Sequence, residues 1–138
     1  MPSRMVLLEH TLPSGSTHYD WMFEHPDVAG GPLISFRLSD RPDLAARGHR
    51  IRSERLGDHR RAYLDYEGPL SANRGSVKRL AHGLLLSLAE TPTSLRLTLR
   101  WDQAPVARWL ATPVSSDPHA EPPPDPHTDP VWDWSRDS

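Results

Sequence analysis

Leu95-Arg96-Leu97-Thr98-Leu99-Arg100-Trp101 alternates apolar and polar residues at every step. Leu95, Leu97, Leu99 and Trp101 share one face, and Arg96, Thr98 and Arg100 the other. A period of two belongs to a half-buried β-strand. Residues 106–110 continue with similar alternation. Upstream, residues 18–24 set Tyr19, Trp21 and Phe23 against His18, Asp20, Met22 and Glu24. Residues 61–67 set Ala62, Leu64 and Tyr66 against Tyr63 and Asp65, and residues 4–9 and 33–38 are shorter apolar runs. Turn-forming stretches separate these segments: Pro13-Ser14-Gly15-Ser16, Ala29-Gly30-Gly31-Pro32, Glu67-Gly68-Pro69 and Ala72-Asn73-Arg74-Gly75. Only residues 43–47 and 76–88 look helical, and the second contains Gly83 and reads better as two strands around a turn. Many short strands at close spacing predict a mainly all-β fold, a small antiparallel β-barrel with short helical turns.

The chain of 138 residues is long enough for one domain of ordinary size. Seven of its 15 prolines fall between Pro113 and Pro130. Proline removes a backbone donor and cannot continue a helix or an inner strand. The sequence therefore divides into a barrel over residues 1–114 and a Pro-rich, acidic, disordered tail over residues 115–138. Trp132 and Trp134 interrupt the polarity of that tail. The tail carries six acidic residues against one arginine, and the first 114 residues carry 15 basic against 12 acidic. A mildly basic body permits an anionic ligand. An acidic tail beside it would compete with such a ligand for the same cations.

The absence of cysteine excludes a disulfide scaffold, a thiolate zinc site and a cysteine nucleophile. No apolar run is long enough to cross a membrane, and residues 1–9 lack the apolar core of a signal peptide. These features predict a soluble, cytoplasmic protein, expected to be a monomer.

His18 and Asp20 stand at i and i+2 on one strand, so both side chains leave the same face about 7 Å apart at their Cα atoms. An imidazole and a carboxylate at that spacing can share one divalent cation. His10 ends the preceding strand and joins them if the two strands pair. Two histidines and a carboxylate make a nitrogen and oxygen site suited to manganese, iron or zinc. Residues 47–61 then supply Arg47, Arg50, Arg52, Arg55, Arg60 and Arg61 with His49 and His59, a set that reads either as a solvated basic loop or as a group that holds phosphate oxygens. His59 can act as acid, base or phosphate donor, with Tyr63 four residues on. A Gly-x-Ser-x-Gly elbow, a P-loop and a dinucleotide fingerprint are all missing.

Leu8-Glu9-His10, His18-Tyr19-Asp20-Trp21-Met22-Phe23-Glu24, Asp58-His59, Tyr63-Leu64-Asp65-Tyr66-Glu67-Gly68-Pro69 and Arg74-Gly75-Ser76-Val77 occur in that order. This series resembles the 3′-phosphoesterase domain of bacterial DNA ligase D, and most closely the small stand-alone relatives of that domain. The resemblance spans residues 5–114. It implies a small antiparallel β-barrel that binds manganese, with zinc or cobalt as alternative ions, and trims the 3′ ends of DNA or RNA–DNA primers in DNA repair. It implies His10, His18 and Asp20 as metal ligands and His59, Tyr63 and either Arg52 or Arg55 around the scissile phosphate. It also implies that a DNA ligase, polymerase or end-binding protein acts alongside. The pattern departs at Met22, where the ligase-linked enzymes carry arginine, and the expected lysine after the third strand is not evident around Ser39-Asp40. Two other readings follow from those departures: a nucleic-acid-end binding module without turnover, and a metal-dependent phosphoesterase acting on another substrate.

Overall fold

The computed structural model describes residues 3–114 and 131–137. Its strands are β1 (Ser3–Thr11), β2 (Thr17–Phe23), β3 (Ile34–Leu38), β4 (Arg50–Arg55), β5 (Gly68–Pro69), β6 (Ser76–Thr91), β7 (Ser94–Trp101), β8 (Val106–Pro113) and β9 (Val131–Arg136). Every pairing is antiparallel. The order β1-β2-β3-β4-β9-β8-β7-β6 closes on itself through β6 and β1, and the two-residue β5 adds to the free flank of β6. The protein is thus a closed eight-stranded antiparallel β-barrel. Closure gives each of the eight strands a neighbour on both sides, which is how a small all-β domain removes its exposed edges.

Leu95, Leu97, Leu99 and Trp101 point into the barrel, as their alternation predicts. Met5 and Leu7 of β1, Trp21 and Phe23 of β2, and Phe36 and Leu38 of β3 join them. All five tryptophans lie in this interior. Trp21 is central: its ring centroid lies 4.9 Å from that of Trp134, 5.7 Å from that of Trp101 and 6.0 Å from that of Trp109. Each buried aromatic of this size contributes roughly 1.5–3 kcal/mol or more through area removed from water.

Four expectations are corrected. Residues 61–67 form no strand. Arg61–Leu64 is a 3-10 turn, because this segment has no neighbour to pair with and instead lays Leu64 on the outside of the barrel. Leu64 meets Val6, Leu8, Met22, Leu33 and Val77 there, so the polar-looking face of β1 and β2 carries a second apolar cluster. Residues 76–88 form one strand, not two. Pairing passes from β1 to β7 at Gly83, where an added Cβ would overlap the Arg100 carbonyl oxygen. Glycine here permits the close backbone approach of a barrel bend rather than a turn. Residues 50–55, read as part of a basic loop, form β4.

The fourth correction concerns the tail. Val131–Arg136 is a strand inserted between β4 and β8, with Ile51 and Ala111 opposite Trp134. Trp132 and Trp134 are interior residues, and the barrel extends past residue 114. Small Ala111 faces large Trp134, a fit that lets the layers interdigitate. The expected disorder of residues 115–130 lies outside the described residues. Among the described residues, no helix is long and apolar enough to cross a membrane.

Candidate metal centre

His10 and His18 face each other directly across the β1–β2 ladder, and Asp20 pairs with Leu8, two positions along. The three side chains leave the barrel's outer face together, since the inward positions go to Leu7, Tyr19 and Trp21. His10 Nδ1 lies 2.9 Å from His18 Nε2 and 3.5 Å from Asp20 Oδ2. His18 Nε2 lies 3.3 Å from Asp20 Oδ1. One donor atom from each residue falls within 4.8 Å of the others. Metal bonds of about 2.0–2.2 Å put neighbouring donor atoms roughly 3 Å apart, so these separations suit ligands of a single ion.

Two observations test whether a cation fits. His10 Nε2 is 2.7 Å from the Arg74 carbonyl oxygen. A carbonyl only accepts, so Nε2 carries the proton and Nδ1 presents its lone pair to the cluster. Fixing a ligand's tautomer through its second nitrogen is the usual outer-shell arrangement of metal-bound histidine. Asp20 is 4 % exposed, and its Oδ1 accepts no hydrogen bond from the described residues. A buried carboxylate oxygen without a donor is costly unless a cation meets it. The donor set of two imidazoles and one carboxylate matches manganese or zinc better than calcium.

Cations gather on the β3 and β4 side. Arg37 sits opposite Asp20 in the β2–β3 ladder, and its buried Nε has no acceptor among the described residues. Arg37, Arg52, Ser39 and Thr17 line a cleft of about 550 Å³ together with His18. Arg52 also pairs with Asp133 of β9 at 3.1 Å. Arg55 takes the other face of the strand. Its guanidinium lies 5.6 Å from the Phe36 ring centroid and 5.4 Å from that of Trp132, and it pairs with Glu90 at 3.5 Å. Alternation along β4 thus brings Arg52 to the cleft and takes Arg55 away from it.

Tyr63 packs against the outer apolar cluster that holds Leu8 and Met22. His59 bridges to Leu33 just before β3 and donates Nδ1–H to the Gly57 carbonyl at 2.8 Å, which leaves the lone pair on Nε2. Its ring lies 5.7 Å from that of Tyr63. Among the described residues, no hydrogen bond or ring contact joins His59 to His10, His18 or Asp20. Ion pairs pin the 61–65 segment onto the barrel: Arg61 to Glu24 at 2.5 Å and Asp65 to Arg4 at 2.6 Å. Burial would push the Glu24 carboxyl up, but the Arg4 backbone N–H and the Arg61 guanidinium outweigh it and hold the group below its ordinary range. The hydrogen bond from Arg4 likewise holds Asp65 low.

No family model and no curated protein matches the chain. The assignment of the site therefore rests on its own residues. Arg37 is the residue that sequence reasoning missed. Its signal was its register opposite Asp20, which requires knowing how β2 and β3 pair. Met22 is buried in the second apolar cluster and supplies no charge to the site.

Proposed function

We propose that this protein is a divalent-metal-dependent phosphoesterase that processes 3′ ends of DNA or RNA–DNA primers. The observation that carries the reading is the buried His10, His18 and Asp20 cluster, with its fixed His10 tautomer and an Asp20 oxygen that accepts no hydrogen bond among the described residues, beside Arg37 and Arg52. A divalent cation held there supplies Lewis acidity toward a phosphoryl oxygen. Arg37 and Arg52 bind the remaining phosphate oxygens, Arg37 through a guanidinium whose Nε is already buried. His59 offers Nε2 for proton exchange with the leaving oxygen. Manganese is the cation that the resemblance favours, and DNA repair the setting.

The test is phosphate release from a 3′-phosphorylated primer–template in manganese, with chelator and His18→Ala controls. Release is expected with wild type and a loss of at least about 100-fold with His18→Ala, since a two-ligand site holds metal weakly. Equal release by both proteins would overturn the reading. Small phosphoesters assayed in parallel identify a different substrate class.

Met22 favours a second reading, a module that binds nucleic-acid ends without turnover. Its buried thioether leaves one family cation unreplaced at that position. This reading expects salt-sensitive binding to DNA ends and no phosphate release in any divalent metal.

A further inference from the structure

Next to the cluster lies a cleft of about 510 Å³ that the proposed chemistry does not use. Tyr63, Tyr66, Pro69 and Leu70 give it apolar and aromatic walls, and Arg60 and Arg74 give it positive charge. Tyr63 and Tyr66 meet edge to face with centroids 6.3 Å apart. The Tyr66 hydroxyl donates to the Pro69 carbonyl, which fixes the ring, yet the residue remains 39 % exposed. Arg74 is held across the 70–74 loop by its Nε on the Ser71 carbonyl at 2.9 Å and its Nη2 on Ser71 Oγ at 3.0 Å. The Arg60 guanidinium has no hydrogen-bond or ion-pair partner among the described residues. The nearby carboxylates are engaged elsewhere, Asp65 by Arg4 and Glu67 by the Arg79 backbone N–H.

An exposed phenol, an apolar floor and unengaged guanidinium charge suit a flat heterocycle attached to an anion. Arg74 ties this cleft to the cluster. Its side chain lines the cleft, and its carbonyl holds His10. We propose that the cleft is a nucleobase subsite, which stacks the base of the 3′-terminal nucleotide while the phosphate of that nucleotide lies at the cluster. This rests on the phosphoesterase reading for its substrate class. The base is held by its face, so the subsite tolerates any of the four bases and discriminates against an end that has none.

The experiment reads binding and turnover separately. An oligonucleotide carrying 2-aminopurine at its 3′ terminus is titrated with the full chain in manganese, alongside one ending in an abasic residue. Wild type is expected to change the probe's fluorescence and to bind the base-bearing end about ten-fold more tightly than the abasic end, a change that one stacked base supports. Tyr66→Ala is expected to erase that preference without altering affinity for the abasic end, and Tyr66→Phe, which keeps the ring, to retain it. Equal affinity for both ends in wild type, or an equal loss on both in Tyr66→Ala, overturns the subsite. A base preference without phosphate release would leave the subsite standing and remove the phosphoesterase reading. Phosphate release without base preference would do the reverse.

Discussion

Gly75 runs so close to Thr11 that a Cβ at position 75 would overlap the Thr11 carbonyl oxygen. Its φ of +92° adds a second reason for glycine. This contact sets where the 72–75 turn meets the end of β1, and so where the Arg74 carbonyl stands relative to His10. Gly75→Ala is therefore expected to lower metal affinity about 10- to 100-fold, as loss of an outer-shell partner does. Calorimetric titration with manganese measures it. Unchanged affinity would mean that the carbonyl does not set the histidine's tautomer.

Asp20→Asn separates metal binding from folding. The substitution keeps the shape and removes a buried charge that lacks a full set of donors. Without metal the variant is expected to melt at or above the wild-type temperature. A ligand at 100 times its Kd stabilises by about 2.7 kcal/mol, so manganese should raise the wild-type Tm by several degrees and leave the variant unmoved. A thermal melt with and without manganese decides it, and an equal shift in both proteins would count against Asp20 as a ligand.

Removal of residues 131–138 is expected to unfold the protein rather than to free a DNA-binding cleft. β9 supplies two ladders and two interior tryptophans, and without it β4 and β8 face each other across a gap. Trp134→Ala alone should cost about 3–5 kcal/mol, the range for a large aromatic removed from a core. Urea denaturation followed by tryptophan fluorescence gives the value.

Acid should loosen the 61–65 segment before the barrel. Glu24 and Asp65 both have depressed folded-state pKa values. Their contribution is present above the unfolded carboxylate range and is lost as pH falls through the lower folded values. Glu24→Gln should flatten the slope of stability against pH in that window, while salt should weaken the exposed Arg4–Asp65 pair more than the Glu24 contact. Hydrogen exchange of the Tyr63 and Asp65 amides, which bond to Arg60 and Ala62 carbonyls, reports the loosening.

Arg37→Gln should weaken binding of a 3′-phosphorylated end by about ten-fold and reduce the salt dependence of that binding, if Arg37 is the phosphate partner proposed above. Arg55→Gln should change binding little and stability more, since that guanidinium stacks on Phe36 and Trp132. Fluorescence anisotropy at several salt concentrations distinguishes the two variants.

Alternation alone determined much of this protein. Period two in residues 18–24, 95–101 and 106–110 made those segments strands, and the His18-x-Asp20 spacing placed two donors on one face, because side chains alternate along any extended chain. What pairing decides is not written in a local window. Leu64 became a cover on the outer face rather than a strand residue, and Gly83 a bend rather than a turn, because each answers to a neighbour far away in the chain. The same holds for Arg37, which matters through its place opposite Asp20. Val131–Arg136 alternates as clearly as any other strand, yet the prolines before it obscured the pattern. Only the gap between β4 and β8, with room for two indoles and two free rows of backbone hydrogen-bonding groups, gave that segment its place.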